Sequence, residues 1–142
     1  MSYKQAMIDI YTEFETQWLI NGRSMDNVAF ENVDSTAINE DWWVLIRIND
    51  VTSESLGVGS NAVDYEHRGF VTVFFFVKPN TATAFINEII DEVNAIFRGR
   101  RISNIIFRSP QPTGAGFVNK DGNYEKAVNY PYIRDEVITI SN

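Results

Sequence analysis

The chain has 142 residues, 44% of them hydrophobic and 22% charged, and this length fits one domain over residues 1–142. It has no cysteine, which excludes disulfides, thiol catalysis and thiolate metal sites, and its net charge of −7 argues against a surface that wraps nucleic acid. No apolar run approaches the roughly 20 residues of a membrane span, and the first residues lack the pattern of a signal peptide, so we expect no membrane partner.

A first helix is predicted from about Ser2 to Leu19, with Ser2 as N-cap and Asn21 and Gly22 as the C-terminal stop. Its apolar residues recur at spacings of three and four and form one stripe, made of Tyr3, Met7, Ile10, Tyr11, Phe14 and Trp18. A short strand is predicted over residues 28–33.

The next predicted strand begins at Trp42 and alternates between two faces. One face is apolar and holds Trp42, Val44, Ile46 and Ile48; the other is mixed and holds Trp43, Leu45, Arg47 and Asn49. The segment that follows, about residues 50–67, is rich in Ser, Gly and Asn. It is either a long flexible loop or the tip of an extended hairpin, because strands are predicted on both sides of it.

The stretch from Arg68 to Phe107 predicts a strand, a helix that ends at Gly99, and another strand. The first of these strands is apolar on both faces. One face holds Phe70, Phe74 and Phe76, and the other holds Val71, Val73, Phe75 and Val77. The two predicted helices are expected to pack on the Phe75 face. The Phe70 face then needs cover from the C-terminal segment or from a second copy of the chain.

Near the C-terminus, Asp121 and Gly122 predict a tight turn between residues 116–119 and 124–128. A final strand is predicted over residues 137–140. The predicted order is α-β-β-β-α-β-β. This order indicates an α+β fold in which two helices pack on one face of a mainly antiparallel sheet.

Candidate catalytic groups are sparse. His67 is the only histidine, and Asp64 and Glu66 lie close to it in sequence, so a general base pair in a small hydrolase or ligand-binding domain is one hypothesis. A solvated loop histidine is the simpler interpretation. The sequence contains no nucleophile elbow, no metal-ligand spacing and no phosphate-binding glycine loop. We therefore expect no enzymatic activity, no cofactor and no bound metal.

The charges are divided unevenly along the chain. Residues 1–67 hold three basic and twelve acidic residues, a net of −9, and residues 68–142 hold nine basic and seven acidic residues, a net of +2. The basic candidates for subunit contact are Arg98, Arg100, Arg101 and Arg108, and the acidic candidates are Glu54, Asp64 and Glu66. The arginines could instead bind phosphate or nucleic acid, which the net negative charge disfavours.

Four segments, taken in order, resemble the tail terminator (tail completion) proteins of long-tailed phages, a group that includes the lambda tail terminator. They are the first helix, residues 28–33 with the Trp-rich strand, the run from Arg68 through Pro79 to the helix end at Gly99, and residues 124–132. The resemblance implies a non-catalytic virion subunit that forms a closed ring, usually a hexamer. Such a ring caps the tail tube, ends its polymerisation and joins it to the head-side connector.

The partners implied by this resemblance are other copies of the chain, the tail tube protein and a head-completion or connector protein. DNA would pass through the channel without specific binding. The protein would assemble in the host cytoplasm and reside in the phage tail. The uncovered sheet face adds Phe70, Phe74 and Phe76 to the candidate subunit contacts. Another head–tail connector protein or a tail tube protein remains an alternative, as does the hydrolase that uses His67.

Overall fold

A computed structural model of the chain describes residues 2–31, 40–58, 62–79 and 84–139. These residues form two helices and a mostly antiparallel sheet of eight strands. The sheet order is β1-β2-β3-β8-β5-β4, and β6 and β7 also pair with β8. The predicted α+β fold is confirmed. The elements are α1 (Tyr3–Ile20), a 3₁₀ turn (Met25–Asn27), β1 (Val28–Phe30), β2 (Trp42–Val58), β3 (Ala62–Val77), α2 (Ala84–Phe97), β4 (Arg101–Ile102), β5 (Ile105–Phe107), β6 (Gln111–Pro112), β7 (Phe117–Val118) and β8 (Tyr124–Thr139).

The two ends of α1 lie close to where the capping residues in the sequence predict them. The backbone N–H of Gln5 donates to Oγ of Ser2, at 3.2 Å, and Asn21 caps the C-terminus. Gly22 continues the chain with a φ of +81°, a conformation that glycine adopts without steric cost. The buried stripe is Ala6, Ile10, Phe14 and Trp18. Tyr3 and Met7 belong to the predicted apolar stripe, but Tyr3 is exposed and Met7 is half-buried. The buried face of α1 is therefore rotated slightly from the predicted one.

Both helices pack on the same face of the sheet, as predicted. The buried residues of the sheet on this face include Val44, Ile46 and Ile48 of β2 and Val71, Val73, Phe75 and Val77 of β3. In α2 the buried residues are Ile86, Ile89, Ile90, Val93, Ile96 and Phe97. They form one cluster with the stripe of α1, so the described residues share one core between the helices and the sheet.

The segment over residues 50–67 belongs to an extended hairpin. β2 and β3 stay paired from Trp42↔Val77 to Val58↔Val63, with bulges between Asp50 and Thr52 and between Ser55 and Gly57. β8 runs beside β3 over its whole length, from Val77↔Tyr124 to Ala62↔Thr139. We call the part of these three strands over residues 51–58, 62–68 and 133–139 the distal ribbon. The hairpin alternative is thus correct for the described residues.

Two predicted strands differ from the structure. The strand predicted after α2 is a tight hairpin of β4 and β5, which turns at Ser103 with a φ of +52°. The strand predicted at 137–140 is not separate over residues 137–139, since β8 runs from Tyr124 through Pro131 to Thr139, and residue 140 lies outside the described part of the chain. Pro131 has no N–H to donate, and β8 tolerates it because the backbone groups of this residue point away from β3, toward the gap between β5 and β6. Its C=O accepts a hydrogen bond there from the N–H of Arg108, at 2.9 Å.

Other predicted boundaries hold in part. β1 ends at Phe30 and pairs with β2 in parallel, and residues 32 and 33 of the predicted strand lie outside the described part of the chain. The sequence also predicts that Pro79, Asn80 and Thr81 end β3 and open the second helix, and of these only Pro79 lies within the described part. Gly99 follows α2 with a φ of +60°, which confirms the predicted stop. The turn at Gly122, with a φ of +81°, joins β7 to β8 as predicted.

Candidate interaction surface

The sheet face opposite the helices, which we call the outer face, collects most of the predicted contact residues. β3 pairs with β8 without a bulge, so its alternate residues all lie on one side of the sheet. On β3 the outer face is formed by Asp64, Glu66, Arg68, Phe70, Thr72, Phe74 and Phe76. Glu54 pairs with Glu66 and joins the same face. The predicted acidic and aromatic contact residues therefore form one continuous surface.

The aromatic patch, which we define as Trp43, Phe70, Phe74 and Phe76, lies at the end of the outer face away from the distal ribbon. Trp43 stacks on Phe76, with ring centroids 5.2 Å apart, and the guanidinium of Arg47 lies 5.3 Å from the ring centre of Phe74. Phe76 is only 8% exposed and Trp43 only 6%, whereas Phe70 and Phe74 are half-buried. The expectation of an uncovered face is therefore wrong for Phe76 and holds only in part for Phe70 and Phe74.

Two buried polar atoms on the outer face have no hydrogen-bond partner among the described residues. They are Nε1 of Trp43 and Oδ1 of Asp64. Most buried polar atoms in folded proteins are hydrogen-bonded, because an unpaired one costs about 1–3 kcal/mol. The two atoms lie at opposite ends of the outer face, and both are already buried within the chain.

The acidic part of the outer face lies on the distal ribbon. Glu54 is exposed, and Glu66 accepts a hydrogen bond from Nε of Arg68 at 2.8 Å. Thr52, Ser53, Glu54, Glu66 and Arg68 line an open cleft of about 530 Å³. Arg68 compensates only part of the negative charge, so the distal ribbon presents an acidic surface.

The four predicted arginines do not share one cleft. Arg98 is exposed just after α2, and Arg101 is exposed and donates from Nε to the C=O of Ser103 at 3.1 Å. Arg100 forms a 2.7 Å ion pair with Glu13 of α1. Arg100 and Arg101 line a groove of about 460 Å³ between α1 and the β4–β5 turn. Arg108 lies instead in a cleft of about 260 Å³ on the sheet, beside Arg68 and Phe70.

His67 faces the helix side of the sheet, because it alternates with Glu66 and Arg68 along β3. Its Nδ1 lies 2.6 Å from Oγ of Ser53, and its Nε2 lies 3.0 Å from Oε1 of Glu136. Asp64 lies on the outer face and is not its partner. The candidate pair of His67 and Asp64 is thus replaced by a row of Ser53, His67 and Glu136 across three strands. No group of three or more potential metal ligands occurs within the described ranges.

Sequence reasoning missed the buried charges at the base of the distal ribbon. The side chain of Arg134 is 2% exposed and forms an ion pair with Asp50, which also accepts a hydrogen bond from the hydroxyl of Tyr132. Burial and the neighbouring Asp50 carboxylate raise the pKa of Tyr132, since both disfavour a phenolate. Residues 50 and 134 are far apart in sequence, so only the pairing of β2, β3 and β8 brings them together.

Gly69 also lies at the base of the distal ribbon, where close packing leaves no room for a side chain. A Cβ at this position would lie 2.2 Å from the backbone O of Asn49 and 2.7 Å from the hydroxyl of Tyr132. Any side chain would therefore push β2 and β8 away from β3. The three strands can lie this close at the base of the distal ribbon because residue 69 has no side chain.

The described helices include none that is long and apolar enough to cross a membrane. No protein-family model matches the chain, and no curated protein matches it. A solved structure that carries no functional name is similar over 90% of this chain and 94% of its own, with a TM-score of 0.53 and 15% sequence identity. At this identity the similarity shows a shared fold alone.

Proposed function

We propose that the chain is a non-catalytic subunit of a phage virion, a tail terminator that assembles into a six-membered ring. The ring caps the tail tube, ends tube polymerisation and joins the tube to the head-side connector. The observation that carries this proposal is the outer face, which combines half-buried aromatic rings and an acidic ribbon on one side of a small domain. The sequence resemblance to tail terminators supports the same role.

A ring of identical subunits needs two different surfaces that fit each other on neighbouring copies. The outer face, with Glu54, Glu66 and the aromatic patch, supplies one of them in this proposal. The arginines near the C-terminal end of α2 supply the other. Arg98 and Arg101 support this assignment, because neither forms an ion pair with a carboxylate of the described residues.

The position of such a ring between the tail tube and the head implies its remaining partners. One side of it meets the tail tube protein and the other a head-completion or connector protein. DNA passes through the channel, and a net charge of −7 disfavours adhesion of phosphates to its wall. The protein assembles in the host cytoplasm and ends in the virion.

The capping role is tested with purified tail tubes. Tubes grown with the protein should stop at a defined length and carry one ring at their end in negative-stain images. Tubes that elongate equally with and without the protein would contradict a terminator. Long stacked tubes made by the protein itself would instead assign it to the tube proteins.

A second candidate function is acyl hydrolysis, which the row of Ser53, His67 and Glu136 favours. A hydroxyl within hydrogen-bond distance of an imidazole that also contacts a carboxylate is the arrangement used to activate a serine nucleophile. Hydrolysis of p-nitrophenyl acetate tests it. Loss of turnover in both Ser53→Ala and His67→Ala, with turnover kept in Ser55→Ala, would support this candidate, and equal rates in all four proteins would exclude it.

A further inference from the structure

The edges of the sheet are covered unevenly. Near the helices, β1 pairs with β2 at Val44–Ile46, and the short strands β5, β6 and β7 pair with β8 from Tyr124 to Arg134. Within the described residues no strand pairs with the outer edge of β2 over Ser53–Ser55 or with that of β8 over Glu136–Ile138. Among the described residues, the long strands β2 and β8 are therefore bare at their outer edges in the distal ribbon, as are the short end strands β1 and β4.

The backbone groups at the edge of β8 point outward. Successive residues of a strand direct their N–H and C=O groups alternately to the two sides. The C=O groups of Ala127 and Pro131 accept hydrogen bonds on the side away from β3, from the N–H groups of Thr113 and Arg108. Because β8 has no bulge against β3, the same alternation directs the N–H and C=O of Val137 outward.

The same reasoning applies to β2. The C=O groups of Ile46 and Ile48 point away from β3, where they accept from the N–H of Glu31 and the hydroxyl of Tyr3. The bulge after Asp50 shifts the register by one residue, so Ser53 and Ser55 direct their backbone groups outward. The bare edge of β2 is therefore short, and its outward backbone groups follow the regular alternation of a strand.

The side chains at the β8 edge are unusual for a strand that ends a sheet. Val137 is 61% exposed and Ile138 is 47% exposed, on opposite faces of the strand. Proteins commonly protect a bare edge with a bulge, a proline or charged side chains. Between Arg134 and Thr139, β8 has no bulge and no proline, and its charged residues Asp135 and Glu136 come before the two aliphatic ones. Two exposed aliphatic side chains beside unpaired backbone groups fit a strand that is inside a larger sheet in its working state.

We propose that the distal edge of β8 pairs with the distal edge of β2 from a second copy of the chain, as a parallel β-ladder. β2 and β8 both run antiparallel to β3, so they run in the same direction. Copies related by rotation about a ring axis roughly parallel to these strands bring β8 beside a neighbouring β2 in parallel. The edge of β2 already accepts β1 as a parallel neighbour at Val44–Ile46. The aromatic patch, at the other end of the same strands, remains available to the body of the neighbouring copy.

This inference rests on the proposed ring in one respect, namely that the occupant is another copy. Its first test is Val137→Pro, which removes an outward N–H without removing a bond to β3, with Val137→Ala as the matched control for the lost side chain. We expect Val137→Ala to form rings and Val137→Pro to remain monomeric with a far-ultraviolet circular dichroism spectrum like that of the wild type. Rings formed equally by Val137→Pro would overturn the edge pairing and leave the ring itself intact.

A second measurement decides the matter if Val137→Pro does not fold or if the wild type forms no ring. Because the chain has no cysteine, pairs of engineered cysteines report contacts directly. Val137→Cys is combined with Thr52→Cys, Glu54→Cys or Gly57→Cys, which share its outer face, and with Ser53→Cys as the opposite-face control. A covalent ladder of copies from any outer-face pair under mild oxidation, at least fivefold above the Ser53→Cys control, supports the pairing. Its absence from all three pairs overturns the inference, whatever the fate of the ring.

Discussion

At the scale of single residues, buried tyrosines give the protein a predictable response to alkaline pH. Burial raises the pKa of Tyr130 and of Tyr132 above the ordinary value of about 10. Below that pH both the folded and the unfolded states keep their phenol protons. Above it the unfolded state releases protons that the folded state retains, so the free energy of unfolding falls as pH rises.

We expect each such tyrosine to lower the free energy of unfolding by up to about 1.4 kcal/mol per pH unit above pH 10. Tyr130→Phe should therefore lose less stability between pH 8 and pH 11 than the wild type does. At pH 8 the same variant should be slightly less stable, because the hydroxyl of Tyr130 donates to Oδ1 of Asn94 at 2.6 Å. Urea unfolding at both pH values measures this, and identical losses in the two proteins would contradict it.

At the scale of elements, the junction of the distal ribbon with the body depends on the close approach of β2, β3 and β8 at Gly69. Gly69→Ala should lower the free energy of unfolding by about 1–3 kcal/mol, because its Cβ meets the backbone of β2 and the ring of Tyr132. Gly57→Ala is the matched control within the same hairpin, since nothing lies within 4 Å of its Cβ. Equal stability of the two variants in urea would show that the junction tolerates a side chain.

Local patterns in the sequence predicted the elements near the helices well. The apolar spacing of α2 and the alternation of β2 and β3 identified the buried face, because these residues pack within one element or between adjacent ones. The continuous β8 was missed, since Pro131 reads as an interruption until its neighbours on the sheet are known. The ion pair of Asp50 and Arg134 was missed for the same reason.

The sequence predicts individual contact residues of the outer face, but it does not predict that they form one continuous surface. Phe70, Phe74 and Phe76 were assigned to one face from their alternation. Asp64 and Glu66 share that alternation, yet the Ser- and Gly-rich composition of residues 50–67 left open whether the strand extended that far. Only the pairing of β3 with β8 down to Ala62 joins the two sets.

At the scale of the whole molecule, we expect the outer face to contribute more to assembly than to folding. Phe74 is half-buried and packs against Arg47, so Phe74→Glu should leave the monomer folded and abolish ring formation. Ile8→Glu is the control, because Ile8 is an exposed apolar residue on α1, away from the sheet. Size-exclusion chromatography of both variants measures the effect, and rings that persist in Phe74→Glu would remove the aromatic patch from the interface.

The mass of the assembled particle distinguishes a six-membered ring from a monomer. One chain has a mass of 16.2 kDa, so a closed six-membered ring has a mass of about 97 kDa. Light scattering coupled to size-exclusion chromatography, run with the free protein and with the protein released from capped tail tubes, gives this value. We expect a discrete particle near 97 kDa in at least the tube-derived sample, and a mass of 16.2 kDa in both samples would rule out the ring.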